Sequence, residues 1–255
     1  MDKALYEEMY RLEKRHWWFA AKRQIVFSIL RKYFPVNKNG DNLNYSVCDL
    51  GCGCGITLSE LKEIGYNVSG VDSNQLALNY CKARGVKAGY GKLDNRLELD
   101  SNSVDAVLLL DVLEHIDDES KALKEALRVL KPNGILICTV PAYQRLWTKR
   151  DVHHHHKRRY SRKKLMRVLE LPYVRIKMIT YINTFLFPFA LAERLLRKFI
   201  FVKSSPGDVV LPPSWLNAGL KNIFALERFI INVGISLPFG LSLLAVLCKY
   251  SKEKV

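Results

Sequence analysis

The chain has 255 residues, 49% apolar and 25% charged, which allows one ordinary domain with an extension or two small ones and excludes a largely disordered or solenoid chain. Forty Lys and Arg against 25 Asp and Glu give a net charge of +15. That balance favours an anionic partner, whether nucleic acid, a phosphorylated substrate or an acidic bilayer surface.

The opening MDKALYEEMYRLEKRHWWF is charged throughout and lacks the apolar stretch and cleavage site of a secretory signal. Leu5, Met9, Leu12, Ile25, Ile29 and Leu30 recur at helical spacing, so residues 1–34 read as helix. A loop follows over 35–44, with Asn-Gly-Asp at its centre. Short β-branched runs then alternate with helical patterns: SVCDL, a helix over 55–64, NVSGV, a helix over 74–84, VKAGY, VDAVLLL, a helix over 119–130, and ILICTV. Regular alternation of this kind predicts a doubly wound α/β fold with a mostly parallel sheet covered on both faces. Lys131-Pro132-Asn133-Gly134 reads as a stop between helix and strand.

After Pro141 the composition changes. Residues 145–177 hold twelve Lys and Arg against Asp151 and Glu170, and the remainder is strongly apolar, with a Pro/Ser/Gly break at 204–214. Phe229 to Cys248 carries no formal charge over 20 residues, long enough at about 1.5 Å per residue to cross a bilayer of about 30 Å. Gly234, Pro238 and Gly240 interrupt it, so GLSLLAVLCK is expected to be a buried final strand. Six cysteines in a chain of this length do not form the dense framework of a small secreted domain, and a reduced, cytoplasmic setting is expected.

The chemistry concentrates at Asp49-Leu50-Gly51-Cys52-Gly53-Cys54-Gly55, between the first strand and the next helix. Glycines there let backbone N–H groups approach a nucleotide-like ligand. The spacing is G-x-G-x-G, because Ile56 stands where a dinucleotide fingerprint continues, and the absence of Gly-Lys-Ser/Thr excludes a phosphate-binding P-loop. Asp72, 21 residues after Gly51, ends the second strand, where a carboxylate can accept hydrogen bonds from both ribose hydroxyls of an adenosine.

VCDLGCGCG, VSGVDSN, SVDAVLLLDVLEHIDD and LRVLKPNGILICTVP, in that order over residues 46–141, resemble the successive motifs of class I S-adenosylmethionine-dependent methyltransferases. The resemblance implies a Rossmann-like sheet whose last strand is antiparallel, with S-adenosyl-L-methionine as cofactor. Asp49, Gly51, Gly53 and Gly55 would surround its methionine and ribose part and Asp72 would hold the ribose diol. Asp111 to His115 would line the floor, and Cys52, Ser73, Asp94 and Val112 would complete the shell. The chain departs from the pattern after the third strand, where Lys92 takes the place of an adenine-binding acid and Asp94 lies two residues on. Expected organisation is a helical cap over 1–44, the cofactor-binding core over 45–180, and an apolar insertion with the final strand over 181–255, part of the same domain. RHWWFAAKR, HKRRYSRKKL, YINTFLFP and SLPFGLSLLAVLCK further resemble a prokaryotic subgroup whose relatives are connected with envelope lipid or glycan.

Methyl transfer from a sulfonium requires closeness and exclusion of water more than it requires a covalent nucleophile or metal. A hydroxyl acceptor gains from a base, for which His115 and His156 are candidates; a helix-cap or packing role for His115 and a solvated loop role for His156 compete with that reading. The histidine run 153–156 and the pair Cys52 and Cys54 lack a completing ligand spacing, so no metal site is predicted. His16, Trp17, Trp18 and Arg23 on the first helix, and Arg158, Arg159 and Tyr160 beside the active edge, are predicted to bind the acceptor. Phe185, Phe187, Phe189 and Phe199 in the apolar segment suit an acceptor with an acidic head and a greasy tail.

The leading expectation is O-methylation of an anionic lipid- or glycan-linked small molecule by a cytoplasmic enzyme, peripheral at the inner face of the membrane. A second reading sends the methyl to RNA or a soluble small molecule. RNA is disfavoured because the aromatics cluster with aliphatics and do not interleave with lysines. A third is a non-catalytic, cofactor-binding regulator at the membrane. The sequence does not specify oligomeric state.

Overall fold

A computed structural model describes residues 3–36, 44–192 and 210–251. Seven strands form one sheet: β1 (Ser46–Leu50), β2 (Asn67–Asp72), β3 (Ala88–Tyr90), β4 (Val104–Leu110), β5 (Leu130–Pro141), β6 (Val174–Ile182) and β7 (Ser242–Lys249). Their spatial order is β3-β2-β1-β4-β5-β7-β6. The first five are mutually parallel, and β7 runs antiparallel to both β5 and β6. Near-continuous apolar runs such as VDAVLLL form central strands because both faces are covered. Val107 and Leu109 of β4 face a core closed by α5 (Glu119–Val129) and α7 (Arg162–Leu169). Ala106 and Leu108 face the opposite core, beneath α2 (Trp17–Tyr33) and α8 (Ser214–Asn232). The glycine turn stands between β1 and α3 (Ile56–Ile64), and Asp72 between β2 and α4 (Gln75–Ala83). Parallel strands and right-handed crossovers thus bring both to one sheet edge.

The N-terminal 34 residues are two helices, not one. α1 (Lys3–Leu12) ends at a turn, and His16 takes an extended conformation, its ring accepting from Trp18 N–H to cap α2. Glu13-Lys14-Arg15 offers no apolar anchor to carry one stripe through. The break lets α1 pack on α4, with Tyr10 stacked on Tyr80 at 4.2 Å, while α2 lies on the sheet. Lys131 to Gly134 does not end the strand element. Leu130 already pairs with Val104, and the ladder resumes at Ile135 with Ala106. The turn is therefore a bulge in which Asn133 adopts φ 64°.

β6 is an element that sequence periodicity did not single out, and it crosses the expected boundary at residue 180. Charges at Arg175 and Lys177 alternate with Ile176 and Met178 at the edge of the sheet. The charge-free run 229–248 divides between the end of α8 and β7, and among the described residues no helix is long and apolar enough to cross a membrane. The predicted Asn-Gly-Asp turn, Phe199, and 204–209 of the predicted break lie outside the described residues.

One buried acid fixes the chain after β6. Glu227 of α8 accepts hydrogen bonds from the backbone N–H groups of Asn183, Thr184 and Phe185 at 2.7, 2.6 and 3.0 Å. Burial pushes its carboxyl up to about 7. This clamp ties the segment after β6 to α8.

Candidate active site

At the carboxyl edge of the parallel strands lies a cavity of about 1130 Å³. Pockets for one ligand usually hold about 300–1,000 Å³, so this one has room for a cofactor and an acceptor together. Its first half is built locally. Gly51 and Gly53 have φ of 82° and 53°; a Cβ on Gly51 would stand 2.6 Å from Val112 Cγ2. Gly53 N–H donates to Asp72 Oδ2 at 2.9 Å and Asn74 N–H to Asp72 Oδ1 at 2.9 Å. The Asp72 carboxylate is thereby aimed, with lone pairs left over for hydroxyl donors. Burial raises its pKa, and the backbone hydrogen bonds oppose that shift.

Asp49 also lines the cavity, with Oδ1 buried and without a partner. Burial, reinforced by the Asp72 charge, pushes its carboxyl up to about 7. A buried carboxylate with an orphaned oxygen suits a ligand that brings a positive charge. Cys52, Ser73, Asp94, Asp111 and Val112 line the same space, with Gly91 and Lys92 beside Asp94.

Gly55 does not line it. A Cβ there would stand 2.8 Å from Cys81 Sγ, and its φ is 80°, so this glycine serves the packing of the turn on α4. All six cysteines are free.

The second half is assembled from distant segments. His16, Trp17 and Trp18 line it from the start of α2, Trp17 resting edge-on against Phe224 of α8. Both tryptophans are accommodated because they stand at the helix start, facing different neighbours. Lys22, one turn after Trp18, forms an ion pair with Asp111 and lies 4.1 Å from the Trp18 ring centroid. Asp111 itself has φ 56°, and Thr139 Oγ1 donates to its Oδ1 at 2.8 Å. Burial pushes the Asp111 carboxyl up, but Lys22 and Thr139 outweigh it and hold the pKa below the ordinary value. A non-glycine residue in the left-handed region is held there at a cost, and such positions cluster at functional sites.

Beyond Asp111 stand Glu114, His115 and His156. Glu114 is wholly buried with neither carboxylate oxygen partnered, and burial, then the Asp111 charge, raises its pKa well above the ordinary value. The His115 and His156 rings meet edge-on, 4.8 Å between centroids. Burial, then His156, lowers the pKa of His115 to about 4. His156 Nδ1 lies 3.0 Å from Asp151 Oδ1. Asp151 is buried and also accepts from Arg159 Nε at 2.7 Å and Nη2 at 3.0 Å. Burial alone would raise the Asp151 pKa; hydrogen bonds from His156 and Arg159 hold it below the ordinary value instead.

Three predicted acceptor contacts are placed otherwise by these partners. Arg23 gives the Nε–Nη2 edge of its guanidinium to the Glu60 carboxylate, both bonds at 2.8 Å, and Nη1 to the Glu13 carbonyl at 2.7 Å; it lines the cavity but is spent as a brace. Arg158 pairs with Glu119 at 3.1 Å and Tyr160 is fully buried, its hydroxyl bonded to Glu119. Neither lines the cavity, whereas Arg159 does, as the orienter of Asp151. Arg158 and Arg159 are thus spent on internal pairs that charge counting does not show, while Arg162, Lys163, Lys164 and Arg167 stay exposed.

Lys22 and Asp151 are site residues that sequence reasoning did not single out, and Glu114 entered it only as part of the floor segment Asp111 to His115. Asp151 carried a signal in retrospect: it is one of two acids among twelve cations, five residues before His156. Sequence spacing also predicts no metal site, yet the fold brings ligand atoms of Glu114, His115 and His156 within 4.8 Å of one another. Tertiary contact, not chain spacing, makes that cluster.

Residues 48–138 match the family model of the methyltransferase domain. Curated relatives include the ubiquinone biosynthesis O-methyltransferase of Rickettsia canadensis, 33% identical over 119 residues, covering 44% of this chain and 47% of the relative. Its namesake in Rickettsia conorii is 30% identical over 130 residues, 47% of this chain and 44% of the relative. The chain spans about half the length of the curated relatives it matches. Among solved structures, a SAM-dependent methyltransferase from Archaeoglobus fulgidus superposes with a TM-score of 0.54 at 21% identity, over 89% of this chain and 94% of that one. One from Methanosarcina mazei gives 0.56 at 16% identity, over 88% and 98%. The fold is therefore the Rossmann-like methyltransferase fold, with β7 and β6 extending the parallel sheet.

Proposed function

We propose that this chain, with a methyltransferase domain at its core, is an S-adenosylmethionine-dependent enzyme that methylates a hydroxyl of an amphipathic acceptor. The observation that carries the reading is one continuous cavity. It runs from the glycine turn, Asp49 and Asp72 to a mouth lined by Leu186, Phe189, Leu220 and Ile223. The cofactor supplies an electrophilic methyl on a positively charged sulfur, so that an acceptor oxygen gaining the methyl returns the carbon–sulfur electron pair to sulfur.

The chain's own residues have five tasks. Gly51 and Gly53 keep the floor free of side chains, and Asp72, fixed by Gly53 and Asn74, receives a diol. Asp49 offers negative charge to a cation. Trp17, Trp18 and the Lys22–Asp111 pair line the junction of the two halves and narrow it around the reacting atoms. The cluster of Glu114, His115 and His156, oriented by Asp151, handles the proton released by a hydroxyl acceptor. The relatives named as O-methyltransferases support oxygen as the receiving atom.

An amphipathic acceptor is supported by the mouth and its surroundings. Trp215, Leu226 and Phe229 of α8 stand 75%, 52% and 57% exposed, and a chain of net charge +15 is attracted to an anionic bilayer. The proposed setting is the cytoplasmic side, docked peripherally. The test is incubation of purified protein with methyl-labelled cofactor and, separately, a lipid extract and RNA from the same cells. Label in the lipid fraction is the expected result. Label in RNA overturns the lipid acceptor, and tight cofactor binding with no transfer to any fraction overturns the enzyme in favour of a regulator.

A further inference from the structure

We propose that Glu114, His115 and His156 form a binding site for a redox-inert divalent ion of the zinc type, facing the acceptor side of the cavity. Their ligand atoms lie within 4.8 Å of one another. Around a tetrahedral ion with bonds near 2.1 Å, ligand atoms stand roughly 3.4 Å apart, so a contraction of up to about 1.4 Å closes the cluster. Two histidines and one glutamate are a three-ligand set that leaves one position open, as catalytic zinc sites do.

Two independent features support a ligand at this point. Glu114 is fully buried and neither carboxylate oxygen makes a hydrogen bond of normal geometry, an arrangement that costs free energy unless a cation or proton completes it. His156 has its Nδ1 against Asp151 Oδ1 at 3.0 Å, which leaves Nε2 as the free nitrogen; Asp151 is fixed in turn by Arg159 and Thr148. His115 likewise has a hydrogen bond to the His155 backbone. Metal-binding histidines characteristically give their second nitrogen to a carboxylate or carbonyl in this way.

The role rests on the methyl-transfer reading above and specifies how the cluster handles the acceptor's proton. An acceptor hydroxyl takes the open position. Its O–H bond breaks, the electron pair stays on oxygen beside the ion, and the proton leaves to solvent water, because a bound cation lowers the pKa of an oxygen it touches.

The test uses the full chain, stripped with a chelator and titrated with Co²⁺ as a spectroscopic probe and with Zn²⁺ in competition. The expected result is one equivalent bound, with the visible absorption of a four- or five-coordinate Co²⁺ and no thiolate band. That signal is expected to vanish in Glu114→Gln and His156→Ala, both checked for folding by circular dichroism, and to persist in His153→Ala, which alters the one histidine of the run that does not line the cavity and leaves the cluster intact. Asp151→Asn is expected to weaken binding by about 10- to 100-fold. No stoichiometric binding by the folded wild type, binding indifferent to Glu114→Gln, or binding abolished by His153→Ala overturns the proposal. Calorimetry with S-adenosylhomocysteine on the stripped protein separates the two readings. Nucleoside binding without metal leaves the methyltransferase and removes the ion; metal binding without nucleoside does the reverse.

Discussion

The two halves of the cavity are built by different rules. In the cofactor half, Gly51, Gly53, Asp49, Asp72 and Asn74 lie within 26 residues, and they are joined by hydrogen bonds between a turn and the neighbouring strand tip. In the acceptor half, α2, the segment around Asp151 to Arg159, and the loop held by Glu227 converge from opposite ends of the chain. Local geometry can fix the first almost alone. The second depends on packing of both cores, so its shape is open to variation without disturbing the turn. Such a division lets one cofactor serve many acceptors.

The strongest way to break this comparison is Glu227→Ala. It leaves two buried N–H groups, of Asn183 and Thr184, and a part-buried third, of Phe185; a buried group costs about 1–3 kcal/mol when unsatisfied, so the expected cost measured by denaturant unfolding is about 3 kcal/mol. At temperatures where the variant stays folded, the affinity for S-adenosylhomocysteine is expected to be unchanged. An equal fall in both quantities would show that the two halves are one cooperative unit.

Asp72→Ala tests the other half. Loss of a fixed carboxylate is expected to weaken S-adenosylhomocysteine by about 1–3 kcal/mol in calorimetry, the cost of unpaired ribose hydroxyls. Stability should change little, since the Gly53 and Asn74 N–H groups are only part-buried and can be hydrated. Unchanged affinity would remove Asp72 from the cofactor site.

The contrast also explains what could be read from the sequence. Five parallel strands and the turn were legible because SVCDL, VDAVLLL and the G-x-G-x-G spacing are short-range patterns with short-range causes. The same holds for the buried β7. The break at Glu13 to His16 was not, because Leu5, Met9 and Leu12 before it and Ile25, Ile29 and Leu30 after it each keep helical spacing, and the docking of α1 on α4 shows only in the folded chain. β6 hid behind Arg175 and Lys177, an edge strand's solvent face. In the site, Asp72 was legible from its distance to Gly51. Lys22, and the joining of Glu114 to His156, depend on elements that meet only in the folded chain.

Charge on Asp49 gives a smaller, graded effect. With its carboxyl raised to about 7 by burial and by Asp72, Asp49 is protonated below that pH and charged above it. Affinity for the cationic cofactor is therefore expected to rise as pH increases toward 7 and then level off, the slope below reaching at most about tenfold per pH unit. Asp49→Asn should flatten the profile. A profile that is already flat in the wild type between pH 5.5 and 8, with pH values chosen to bracket the transition on the order of one unit each side, would separate Asp49 from the cofactor's charge.

The smallest expected effect is the sharpest check on the acceptor half. Arg158 was expected from the sequence to meet an anionic acceptor, but in the fold its guanidinium pairs with Glu119 at 3.1 Å and its side chain is 21% exposed. A partly exposed pair of this kind contributes about 0–1 kcal/mol, and Glu119 keeps its bond from the Tyr160 hydroxyl when the arginine is removed. Arg158→Gln should therefore shift stability by no more than about 1 kcal/mol and leave the acceptor KM within about threefold, a change of roughly 0.6 kcal/mol. Arg159→Gln is the informative partner, since it strips Asp151 of two hydrogen bonds and loosens His156. It should lower kcat with little change in cofactor affinity. If Arg158→Gln instead raises the acceptor KM tenfold while unfolding is unaltered, the acceptor's acidic head lies outside the cavity, on the basic run itself, and the boundary between the two halves moves.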